Sequence, residues 1–110
     1  MKTFKEFLGE ASSLNKDNKV FADDTDAHPF VKAYTAGNKG DHRPGGSTDA
    51  DDKASEKFNS EYDTKYTKGG FGGSGVAVYT HKATGKQYKV TKQSNGKGFY
   101  GTDHIVSVVK

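Results

Sequence analysis

The stretch that decides the fold is residues 76–110, VAVYTHKATGKQYKVTKQSNGKGFYGTDHIVSVVK. Val76, Val78 and Thr80 alternate with Ala77, Tyr79 and His81. Tyr88, Val90 and Lys92 repeat that period of two after the turn Lys82-Ala83-Thr84-Gly85-Lys86. Such alternation, bounded by turn residues, marks half-buried strands. Asn95-Gly96 and Gly98 signal a second turn, and His104–Val109 (HIVSVV) reads as a third strand. Three strands are about the minimum for an independent sheet, so 76–110 is expected to form a basic three-stranded antiparallel module.

Working outward, Lys68–Gly75 (KGGFGGSG) breaks the chain with five glycines and predicts a linker over 69–75. Residues 52–67 predict a helix, and that segment closes at Lys68. Asp51 and Asp52 stand at its start and Lys65 and Lys68 at its end, as the helix dipole favours. Glu61 and Lys65 fall four apart, and Ala54, Phe58, Tyr62 and Tyr66 give an aromatic stripe expected in the core. Residues 37–51 (GNKGDHRPGGSTDAD) have linker composition. Pro29–Ala36 predicts two helical turns burying Phe30, Val31 and Tyr34, with Gly37 just past the end. Residues 12–27 read as a polar loop. Residues 3–11 read as a short amphipathic helix: Thr3 and Glu6 form a capping box, and Phe4, Phe7, Leu8 and Ala11 make one apolar stripe. A helix that short needs a partner surface.

The expected fold class is therefore α+β, short helices followed by a small antiparallel β-sheet, with flexible glycine-rich and polar segments. The expected division is 1–10, a polar and partly disordered 11–51 with its short helix, the helix 52–68, the linker 69–75 and the β module 76–110. Leu, Ile, Val and Phe total 18 of 110 residues, about 16% and below the roughly 20% at which disorder becomes a serious reading. That composition is why 12–50 is expected to order only in part.

Several chemistries are excluded by residue type or spacing. The absence of cysteine removes disulfides, thiolate metal sites and thiol nucleophiles. Gly70-Phe71-Gly72-Gly73-Ser74-Gly75 fits G-x-G-x-x-G, and with Val90-Thr91-Lys92 it resembles the glycine-rich loop and strand lysine of protein kinases. Only 18 residues follow Lys92, however, so no catalytic lobe exists in this chain. A dinucleotide fold needs a strand before those glycines and a helix after them. A calcium loop counted from Asp49 meets Ala54 where glycine is needed and Ser60 where glutamate is needed. His28, His42, His81 and His104 are scattered, with exposure as their expected state. No catalytic residue, metal or cofactor is assigned, and the expectation is a binding protein rather than an enzyme.

Charge is divided unevenly. Residues 11–64 hold seven basic and eleven acidic side chains, whereas 65–110 hold eight lysines and one acid, Asp103. In the tail, aromatics interleave with the lysines, a pattern that lets bases stack while ammonium groups track phosphates. Lys82, Lys86, Tyr88, Lys89, Lys92, Lys97 and Tyr100 are accordingly the candidate nucleic-acid or partner-binding residues. With Arg43 the chain's one arginine, any DNA binding is expected to be non-specific.

The opening MKTFKEFLGEA resembles the capsid-targeting peptide of the internal head proteins of T-even-type bacteriophages. The resemblance covers about 11 residues. It implies that 1–10 is a propeptide whose Phe4, Phe7 and Leu8 contact the prohead core. It implies a prohead-protease cut at Leu8-Gly9-Glu10, leaving Ala11 as the new N-terminus. It further implies residence inside the phage head and injection with the DNA into the host cytoplasm. There, some members of the family block host restriction enzymes. The competing expectation is a non-specific DNA-condensing protein of the head. The eleven acids of 11–64 favour the inhibitor, since acids can occupy a nucleic-acid site on a protein target. No membrane partner is implied.

Overall fold

The computed structural model describes residues 12–15, 17–22, 24–69, 75–96 and 101–109. The elements are β1 (Ser12–Ser13), β2 (Lys19–Ala22), α1 (His28–Asn38), α2 (Asp49–Glu61), β3 (Tyr62–Gly69), β4 (Gly75–His81), β5 (Gln87–Ser94) and β6 (Thr102–Val109). Single 3-10 turns lie at Thr25–Ala27 and Gly40–His42. The fold is α+β, as expected. The sheet has the order β1-β2-β6-β5-β4-β3. β3 to β6 form an antiparallel meander, while β2 runs parallel to β6 and β1 antiparallel to β2.

The three strands read from the tail are present as β4, β5 and β6, but they do not form a separate module. Two segments read differently from the sequence complete the sheet. The helix expected to run to Lys68 stops at Glu61, and Tyr62–Gly69 is a strand. A spacing of four fits a helical stripe, and it also returns to the same face of a strand. Tyr62 and Tyr66 satisfy both patterns, so the Glu61–Lys65 helical pair does not form. Residues 12–27, read as loop, hold β1, β2 and a 3-10 turn. The chain order is therefore not helices then sheet, and the sheet is mixed rather than purely antiparallel.

Both helices lie on one face of the sheet. Phe30 of α1 is fully buried and stacks on Tyr88 of β5, with ring centroids 4.6 Å apart and 9° between planes. Around it lie Tyr34, Phe58, Tyr62 and Tyr79, at centroid distances of 5.5, 6.0, 5.2 and 5.3 Å. Aromatic pairs at these separations add to area burial. Among the described residues, half of the core cluster comes from the segment expected to be partly disordered: Leu14, Val20, Ala22, Ala27, Phe30, Val31 and Tyr34. The low aliphatic content is compensated by tyrosines, which the Leu-Ile-Val-Phe count omits.

Local chemistry fixes the helix ends. Pro29 stands in the first turn of α1, where its missing N–H costs nothing. Thr48 caps α2, and Thr48 and Asp51 form a reciprocal capping box. Asp51 also takes a two-point contact from Arg43, at 2.6 and 2.9 Å. The acids expected to favour a helix start do so one turn earlier than read, within the segment 37–51 assigned to linker.

Gly37 lies inside α1 rather than past its end, because α2 crosses there. An added Cβ would sit 2.6 Å from Phe58 Cβ. In an open helix Gly→Ala is stabilising by about 1 kcal/mol. Here Gly37→Ala is expected to destabilise by about 1–3 kcal/mol, the cost of overpacking. Thermal unfolding checks this, and a variant that melts higher than the parent contradicts the crossing.

Candidate interaction surface

The sheet's other face carries, among the described residues, neither helix. Register places its side chains in rows. Lys65, Val78, Lys89 and Ser107 form one row across β3, β4, β5 and β6. Lys65 and Lys89 are exposed and two strand spacings apart, about 10 Å. The next row holds Val76, Thr91, Ile105 and Phe21 across β4, β5, β6 and β2. The surface is thus apolar in one band and basic in the band beside it.

The candidate residues of the tail do not form a single patch. Lys89 lies in the basic row. Lys82 and Lys86 stand at the β4–β5 turn, where Lys82 makes an exposed contact with Asp63 at 3.6 Å; such a pair contributes little. Tyr88 is a core residue, 5% exposed and stacked on Phe30, so it cannot stack on a base. Lys92 faces the helix side, in register with His104. Lys97 and Tyr100 lie outside the described residues. So do Phe4, Phe7 and Leu8, the site Leu8-Gly9-Glu10-Ala11, and all of Gly70–Gly75 except Gly75. Lys65 is not among the sequence candidates because the helix expected over 52–67 puts it at a helix end.

On the helix side, folding gathers polar groups from distant parts of the chain. His104, expected to be exposed, is 1% exposed, and its Nδ1 is 2.8 Å from the Tyr34 hydroxyl. His42 packs edge-on against it, with ring centroids 5.5 Å apart. Asn18 Nδ2 donates to His42 Nδ1 at 3.2 Å, and Asn18 Oδ1 accepts from the Thr102 N–H at 2.6 Å. Asn95 Nδ2 donates to the Asp17 carbonyl and to Asp103 Oδ1, at 2.7 and 3.0 Å. This seam ties the 14–18 turn to β6. Burial, followed by the nearby His42 and Lys92, pushes the His104 imidazole down to about 3. Burial also lowers His42, with Asp41 opposing. The Tyr79 phenol is pushed up to about 12, chiefly by burial. These groups stay neutral at pH 7 and act as structure. No set of three or more metal-binding side chains occurs among the described residues.

A shallow groove of about 260 Å³ runs between α1 and α2, floored by Pro29, Ala33, Ala36, Ala54 and Phe58. Along α2, Asp49, Asp52 and Glu56 are exposed, so acid lies on the helix layer while the Lys65–Lys89 row lies on the sheet. No helix among the described residues is long and apolar enough to cross a membrane. No protein-family model, curated protein or solved structure matches the chain.

Proposed function

We propose that this chain is an internal head protein of a large tailed phage, cut after Glu10, packaged with the genome and injected. Its mature part then acts as a binding module against a host defence enzyme. What supports this is the stretch MKTFKEFLGEA over residues 1–11, in which the stripe Phe4, Phe7 and Leu8 precedes a Leu8-Gly9-Glu10 site. The test is cleavage in maturing proheads: the parent chain is expected to lose residues 1–10, and Glu10→Gln to stay whole. A parent chain left uncut by an active prohead protease contradicts the reading.

The inhibitor is favoured over a DNA condenser by the way folding disperses the lysines. A condenser needs a continuous basic surface with free aromatics, whereas here Tyr88 is core and Lys92 faces away from Lys89. With Lys65 and Lys89 as the shared row, the slope of log K for duplex DNA against log salt is expected near −2, at about −0.9 per phosphate contact. A slope of about −5 or steeper would favour the condenser.

A further inference from the structure

β3 is the last strand of the sheet and, among the described residues, has a hydrogen-bonded neighbour on one side only. The opposite edge, β1, is two residues long, whereas β3 has eight. Natural proteins shield long edges with proline, lysines or bulges. β3 holds no proline, its bulge lies between Tyr66 and Lys68, and Lys65 is offset by Asp63 on the same face. Asp63, Thr64, Lys65, Tyr66 and Thr67 are all exposed, Tyr66 by 58%. The stretch Tyr62–Tyr66 is thus a regular, open edge.

One hydrogen bond fixes which backbone groups face outward. The Lys82 N–H donates to the Glu61 carbonyl at 2.9 Å, one step before the pair Tyr62–His81. Bonded and non-bonded pairs alternate along an antiparallel ladder. Asp63 and Lys65 therefore turn their N–H and C=O groups to β4, and Thr64 and Tyr66 turn theirs outward. The Tyr62 carbonyl also faces outward, while its N–H donates to the Phe58 carbonyl at the end of α2.

We propose that this edge pairs antiparallel with the same edge of a second copy, about a two-fold axis at Thr64. Charge selects that register. It sets Asp63 opposite the second copy's Lys65, twice by symmetry, on the face away from the helices. These are non-hydrogen-bonded positions, where opposed side chains approach most closely. Moving the axis one residue either way sets Asp63 against Asp63 or Lys65 against Lys65. On the helix side, Thr64 meets Thr64 and the exposed Tyr66 lies across from Tyr62. Backbone bonds join the two Thr64 residues and run from each Tyr66 N–H to the other copy's Tyr62 carbonyl. The bulge bends β3 away just past Tyr66, where the other copy's α2 ends. The contact of Asp63 with Lys82, at 3.6 Å, is exposed and holds it weakly. The two sheets become one, and the contact closes on itself. This pairing is independent of the phage reading above.

Sedimentation equilibrium of the full chain over a range of concentrations tests this. A species of twice the 11.9 kDa chain mass is expected. Lys65→Asp and Asp63→Lys, made singly, each set like charges opposite one another twice and are expected to weaken the dimer about tenfold or more. The double variant carrying both restores the pairs with their signs exchanged and is expected to dimerise like the parent. Both side chains are exposed, so these changes leave folding intact. A full chain that stays monomeric throughout would overturn the proposal and leave the edge to a strand of another protein. A dimer indifferent to the single changes would place the contact elsewhere and overturn it too. A double variant as weak as the single ones would overturn the register.

Discussion

Phe30→Ala is expected to lower the unfolding free energy by about 3–5 kcal/mol, the range for emptying an aromatic site in a packed core. Phe30 has no exposed surface and touches rings from α1, α2, β3, β4 and β5. Its removal opens a void at the one point where both helices and the meander meet. Domains of this size are stable by about 5–15 kcal/mol, so the variant approaches the threshold of unfolding. Its Tm should fall by roughly 15 °C or more. Urea unfolding measures the loss. A cost below about 1 kcal/mol would show that the helices are not seated on the sheet through this ring.

The second large effect is a loss of stability in mild acid, traced to His104. The unfolded chain takes up a proton on this imidazole near its ordinary value of 6.5, whereas burial holds the folded value near 3. Between those values the unfolded state binds more protons, so stability falls as pH falls, by up to about 1.4 kcal/mol per unit. From pH 7.5 to pH 5 the loss is expected to be about 2 kcal/mol from His104. His42 adds to it in the same direction. The Asp51 carboxyl, held well below the usual range by Arg43, contributes only in stronger acid, below about pH 4. Urea midpoints at the two pH values test this. His104→Gln should flatten the dependence, and a parent protein equally stable at both would contradict the burial of a neutral imidazole.

The sequence carried the local half of this structure and missed the half that depends on distant partners. Pro29, Phe30, Val31 and Tyr34 announce α1 because proline placement and a helical stripe are local signals. Residues 76–81, 87–94 and 102–109 announce β4 to β6 through their alternation. Residues 19–22 do not announce β2, because Val20, Phe21 and Ala22 are all buried and a strand covered on both faces loses its alternation. β3 was hidden by a coincidence of periods at Tyr62 and Tyr66, and Tyr66 is in fact 58% exposed.

The candidate surface shows the same division. Lysine content was legible, but sidedness was not. Lys89 and Lys92 are three residues apart and point to opposite faces, a consequence of strand period that only a correct register reveals. Tyr88 looked like a stacking residue because its cover, Phe30, lies 58 positions earlier in the chain. His104 looked exposed because Tyr34 is 70 residues away. The stripe and the Leu8-Gly9-Glu10 site of residues 1–11 lie outside the described residues.

Packaging and maturation of this chain in a phage head are tested by its intact mass in protein extracted from purified virions. A species beginning at Ala11, shorter than the full chain by residues 1–10, is expected. A full-length mass, or virions that hold none of this chain, would contradict it.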